Sequence, residues 1–178
     1  ATAMEAGEIW LLDAADSRLR LARQRGCDGE LFGERPEFAL GEGIPGVVAQ
    51  TAEPVVVPDL AADPRFLRRR VVAAGFTALA AVPLRAKGEV IGTLDVATRH
   101  ARPVTEDDLR LLTAIGAAVG MAAANARLYE RLARATQQLE AMTGTLDARL
   151  NELERMQAKL AAFEPMGTTD RPSAPPAV

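Results

Sequence analysis

Apolar and polar positions alternate through GEIWLLDAADSRLRLARQRG on both sides of the stretch from Asp13 to Ser17. That period of two predicts two strands joined by a turn, with Trp10, Leu12, Leu19 and Leu21 on one face. From Cys27 to Leu40, glycines and prolines interrupt the pattern every few residues, which predicts a loop. Gly43 to Thr51 reads as a short helix that takes Pro45 in its first turn, where no intrahelical donor is lost. Pro54 ends it, and Val55 to Val57 form a short apolar strand. Asp63-Pro64 has the composition of a helix start, predicting a helix to Ala74 that Gly75 stops. Leu79–Arg85 and Glu89–Thr98 then form a hairpin around Lys87-Gly88, where glycine supplies the positive φ of the turn. Thr105 followed by Asp108 is a near capping box, and Glu106 and Asp107 suit a positive helix N-terminus, so a long helix begins there.

That helix carries a second pattern. Leu132, Leu139, Leu146, Leu153 and Leu160 recur every seven residues, which predicts a coiled coil. With these leucines at position a, Ala135, Met142, Arg149, Met156 and Phe163 occupy position d, and Asn125 falls one heptad earlier in the a register. The expected dimer seam is Leu132, Leu139, Met142, Leu146, Leu153, Met156 and Leu160. Burying its leucines contributes on the order of 10 kcal/mol per chain before ordering entropy is subtracted. A rod from Leu128 to Phe163 is roughly 50 Å long and needs a partner helix, most simply its own copy. The alternatives are an antiparallel hairpin or a helix lying on its own domain. Gly144 is a soft point in the helix interior. Gly116 and Gly120, four residues apart among alanines, predict a close contact of the helix with a sheet or with its mate.

Three segments succeed one another at the spacing of a single compact domain: GEGIPGVVAQTAEPVVVPDL, GFTALAAVPLRAKGEVIGTLDVATR and TEDDLRLLTAIGAAVGMAAANARLY. Gly43, Gly46 and Ala49 open a helix of small residues. Pro54, Pro58 and Asp59 surround a short strand, while Pro83, Leu84, Gly88, Gly92 and Leu94 lie in the hairpin. Glu106, Asp108, Leu109 and Leu112 start the closing helix. This succession, with a looser match from Gly7 to Leu40, resembles a GAF domain, a class of sensors and relays that are rarely enzymes. The resemblance implies an α+β fold, an antiparallel sheet flanked by helices, continued here by a long C-terminal coiled-coil helix. The expected organisation is a sensor domain over 1–129, a coiled-coil helix over 130–163 and a disordered, proline-rich tail over 164–178. Such domains usually begin with a long helix, of which Ala1 to Ala6 would be no more than the last turn, so the chain reads as cut from something longer.

Composition fits this reading. A chain of 178 residues, 48% hydrophobic and 25% charged, buries one ordinary core. The net charge of −3 is mild and its signs are interleaved, which argues against a nucleic-acid partner. The single Cys27 forms no internal disulfide and fits a reducing compartment, so a cytoplasmic location is expected. The apolar stretch from Leu111 to Ala126 is shorter than the roughly 20 residues a membrane span needs, and no span is expected.

Catalytic chemistry is sparsely represented. His100 is the only histidine and lies in a connection, where a solvated surface role is expected. One cysteine and one histidine exclude ordinary structural zinc sites. No catalytic residue, metal or cofactor is expected: the thiols of methionine sulfoxide-reducing relatives, the tetrapyrrole or heme ligands and the cyclic-nucleotide signature are not found. Arg65, Arg68, Arg69 and Arg70 match the geometry of an anionic ligand. Consecutive arginines point in several directions, however, and a solvated helix face is the better reading. The resemblance implies a ligand pocket between the sheet and its covering helices, with candidates Trp10, Asp59, Phe66, Phe76, Val82, Leu84, Thr93 and Asp95. Asp95, on one face with Thr93 and Ala97, must face solvent or find a donor, and solvent or a pocket mouth is expected. The expected function is a sensor or relay that binds a small molecule, or receives an upstream signal, and passes it through a dimeric coiled coil to an output domain such as a histidine kinase. The alternative is a dimerisation or scaffold module whose pocket is filled by its own side chains.

Overall fold

The computed structural model describes residues 4–26, 34–100 and 103–161. Cys27, Phe163 and the tail from residue 164 lie outside them. The chain divides into two units, 1–128 and 129–178. The elements are β1 (Ala6–Asp13), β2 (Arg18–Arg25), β3 (Glu37–Ala39), α1 (Gly43–Thr51), β4 (Val55–Val57), α2 (Arg69–Ala73), β5 (Ala78–Ala86), β6 (Glu89–Thr98) and α3 (Glu106–Ala161). The strands form one sheet in the order β3-β2-β1-β6-β5-β4, and every neighbouring pair is antiparallel.

Both hairpins and α1 stand where alternation and punctuation place them. In the β5–β6 turn Lys87 joins Gly88 at positive φ, 52° and 87°, the pair of left-handed residues that a two-residue hairpin of the primed type requires. Two expectations are corrected. The segment read as a loop to Leu40 contains β3, too short to show a period, whose Phe38 pairs with Leu19. The helix expected from Asp63 begins only at Arg69. Asp63 makes a turn instead, its Oδ1 accepting the Arg65 amide at 2.9 Å and its carbonyl the Phe66 amide at 3.1 Å. Arg68 then stays extended, at φ −104° and ψ 90°. At the N-terminus, Met4 and Glu5 are not helical and Ala6 already belongs to β1.

The sheet buries both faces. On one, Ala6, Leu79, Ala81 and Ala97 pack with Ile44 and Val48 of α1, Val57, Leu60, Val71 of α2 and Phe76. The cluster of Trp10, Leu19, Phe38 and Ala49 lies with it, joined by half-buried Leu12 and Leu21. On the other face, Ala80, Val82, Leu84 and Leu94 pack with Leu112, with Ile9, Leu11, Val96, Leu109 and Val119 around them. Here α3 comes close to β5. A Cβ on Gly120 would lie 2.4 Å from the Arg85 carbonyl oxygen and one on Gly116 3.0 Å from that of Pro83, so only hydrogen permits the approach. The contact expected of these glycines is with the sheet.

Thr105 and Asp108 cap α3 reciprocally: the Asp108 amide donates to Thr105 Oγ1 at 3.2 Å and the Thr105 amide to Asp108 Oδ2 at 3.1 Å. An 18-residue window of α3 has a mean hydropathy of 1.4, enough by length and composition alone to cross a membrane. The part of the helix bearing Gly116 and Gly120 is seated on β5. In the second unit, Leu132, Leu139, Met142, Leu146, Leu153, Met156 and Leu160 are all exposed in the single chain, as is Leu150.

Candidate functional site

Across β1 and β6, Glu8 stands opposite Asp95 and Trp10 opposite Thr93. The pleat sends all four side chains to the face covered by α1 and α2. Two carboxyl groups therefore enter one apolar layer, with Glu8 2% and Asp95 1% exposed. Phe38 of β3 meets Trp10 edge-on, with ring centroids 5.0 Å apart at 75°.

Arg68 reaches into this cluster. Its extended backbone, just before α2, turns the side chain inward, and the residue is 1% exposed. Nη1 donates to Glu8 Oε1 at 2.5 Å. The guanidinium carbon lies 5.6 Å from the ring centre of Trp10, 5.8 Å from that of Phe38 and 5.4 Å from that of Phe66, within cation–π range of all three. Trp10 Nε1 donates to Glu8 Oε2 at 3.4 Å.

One buried guanidinium thus pairs with one of two buried carboxyls. Burial pushes the Glu8 carboxyl up, against the opposing pull of the Arg68 charge and hydrogen bond and of Trp10. Asp95 is pushed up to about 7, first by burial and then by the charge of Glu8, with Arg68 and Thr93 pulling the other way. The Thr93 hydroxyl is near but outside hydrogen-bonding geometry, and neither Asp95 oxygen has a hydrogen-bond donor among the described residues. The expectation that Asp95 faces solvent or a pocket mouth is corrected: α1, α2 and the segment before α2 cover this face.

Of the other residues singled out in the sequence, Phe66 joins the site and also lines a surface cavity of about 680 Å³ with Arg35, Leu60, Pro64, Leu67 and Val72. Phe76 lies on the same face but in the core with Leu60 and Val71, under the Arg99 guanidinium at 4.0 Å. Asp59 is exposed, and its Oδ1 accepts the Ala61 and Ala62 amides. Val82 and Leu84 face α3 on the opposite side of the sheet. The solvated-face reading holds for Arg69 and Arg70, which are exposed, and for Arg65, which pairs with Asp63; it fails for Arg68. Glu8 and Phe38 went unrecognised in the sequence, and Arg68 was not separated from its neighbouring arginines. Only Glu8 left a signal, a charge on the face that alternation gives to Trp10. His100 is 68% exposed, with Nε2 3.6 Å from Glu5. Among the described residues no group of three or more histidine, cysteine, aspartate and glutamate side chains is placed to hold a metal ion.

The family model described as GAF domain matches residues 2–123, and the chain belongs to that family. The Nif-specific regulatory protein of Azospirillum lipoferum is 32% identical over 124 residues, which cover 66% of this chain and 20% of that protein. The chain thus spans about a fifth of the length of this curated relative. The GAF domain of an Acinetobacter phosphoenolpyruvate-protein phosphotransferase superposes with a TM-score of 0.61 at 23% identity, covering 72% of this chain and 75% of that one. The GAF domain of A. aeolicus nlh2, in an inactive state, gives 0.56 at 27% identity, covering 66% and 72%. The fold is that of GAF domains, and such domains in regulatory and sensor proteins make this chain a signalling module.

Proposed function

We propose that this module senses a small molecule on the face of the sheet covered by α1 and α2, and passes the signal through a dimeric coiled coil formed by the C-terminal part of α3. The output is a domain of a larger signalling protein, such as a histidine kinase or a regulatory protein like its Nif-specific relative. The protein is not an enzyme on this reading. The observation that carries it is the buried cluster of Glu8, Asp95 and Arg68 under Trp10, Phe38 and Phe66, because buried ionisable groups cost stability and shifted ones cluster at functional sites. The dimer is supported by the exposed leucines of the second unit. Their a and d phase, continued backwards, takes in Leu111, Met121 and Leu128, which are exposed in the first unit.

A second reading has an observation of its own. Arg68 occupies the middle of the site, as expected of a module whose pocket is permanently self-filled and which only dimerises. Native mass spectrometry of the purified chain, with a thermal-shift screen of metabolites, separates the two. A dimer whose melting responds to a compound supports sensing, and a dimer that responds to none supports the scaffold reading. A monomer overturns the coiled-coil relay in both.

A further inference from the structure

Arg68 shows what this site accepts. Its guanidinium is surrounded by Trp10, Phe38 and Phe66 at 5.4–5.8 Å and held by Glu8, an arrangement of π faces and carboxylate suited to an organic cation. It is not a complete match, because the second carboxyl, Asp95, is 1% exposed and neither of its oxygens receives a hydrogen bond among the described residues. A cation entering from outside, free of the geometry of the Arg68 stem, can bring donors to Glu8 and Asp95 together. That difference is what a ligand needs in order to favour a state with Arg68 displaced.

The covering segment suits displacement. Between β4 and α2, residues 58–68 form neither strand nor helix, contain Pro58 and Pro64, and are held by turns such as that of Asp63. Phe66 belongs both to the aromatic wall and to the lining of the 680 Å³ surface cavity, so movement of this segment joins the site to the outside. We infer that the Glu8–Asp95 pair under Trp10, Phe38 and Phe66 is a binding site for a small organic cation of the guanidinium class, and that Arg68 is its built-in occupant, expelled on binding. This rests on reading the covered face of the sheet as the sensing site, and it names the class of ligand.

Trp10 is the only tryptophan of the chain, so its emission reports directly from the site. The test is a titration of the full chain with butylguanidinium at constant ionic strength, against butylurea as the uncharged isostere. The expected result is a saturable change of Trp10 emission with butylguanidinium alone, with an affinity at least tenfold higher in Arg68→Ala and at least tenfold lower in Asp95→Asn. No saturable change in the wild-type chain, or an equal response to butylurea, overturns the inference. So does a response confined to Arg68→Ala, since that makes the space a cavity left by truncation. If Arg68→Ala does not fold, wild type and Asp95→Asn decide. A melting response of the same chain to a neutral or anionic metabolite, with none to the cation, sinks the ligand class while sensing stands; no response to any compound sinks both.

Discussion

Glu8 and Asp95 face each other across the central strand pair of the sheet, both buried, and the Arg68 guanidinium pairs with Glu8. Both carboxyls are held above their ordinary range, so the folded chain binds these protons more tightly than the unfolded one. For Asp95 the associated stability is fully present below the unfolded value of 3.8 and is lost as pH rises through about 7. Asp95→Asn removes that loss. Urea unfolding of the two proteins is expected to give equal stabilities near pH 4 and a variant more stable by on the order of 4 kcal/mol at pH 8. A difference that does not change with pH would mean that the buried carboxyl does not titrate in this window.

Arg68→Met removes the ion-pair partner of Glu8 and leaves two carboxyls in an apolar layer. A loss of about 3–5 kcal/mol is expected from breaking a buried pair. Adding Glu8→Gln to that variant is expected to recover a large part of it, since the uncompensated charge goes too. Simple additivity of the two losses in denaturant melts would refute the coupling.

The same substitution has opposite effects at two glycines of α3. Gly120→Ala drives a methyl into the Arg85 carbonyl and amide at 2.4 and 2.7 Å and is expected to cost about 1–3 kcal/mol. A Cβ at Gly144 meets nothing within 4 Å, and Gly144→Ala is expected to stabilise the helix by about 1 kcal/mol. Thermal melts followed by helical circular dichroism read both signs.

Arg149 is at position d of the heptads, between Leu146 and Leu153. If the helices pair as proposed, Arg149→Leu extends the apolar seam and raises the melting temperature of the dimer, by roughly 1–2 kcal/mol of added burial per chain. An unchanged or lower melting temperature at matched concentration places Arg149 outside the seam.

The hairpins were legible because a half-buried strand writes its faces into alternate residues and Lys87-Gly88 marks a turn that few residues tolerate. The capping box of Thr105 and Asp108 and the close-packing glycines were legible for the same local reason. The site was less so. Trp10, Phe66, Thr93 and Asp95 were among the residues selected, yet Arg68 sat in a run of arginines with nothing to single it out. Its burial follows from the Asp63 turn, which keeps the backbone extended to Arg68, and from a carboxylate sixty residues away in the chain. Helix-start composition at Asp63-Pro64 is shared by turns, so the local signal did not separate the two. Val82 and Leu84 were drawn toward the pocket although alternation with Ala81 and Pro83 sets them on the other side.

The order of strands has a consequence for how this domain comes into being. β1 and β6 are the first and last strands along the chain but neighbours in the middle of the sheet, where Ala6 pairs with Ala97. Each hairpin forms from local contacts, whereas the seam between them closes a loop through nearly the whole domain, a step that is slow for its size. During synthesis β1 has no partner on that side until Thr98 has left the ribosome. The two acids meet only at that moment, so the buried pair of Glu8 and Asp95 cannot exist in any partly made domain, and its assembly reports that the two halves of the sheet have joined.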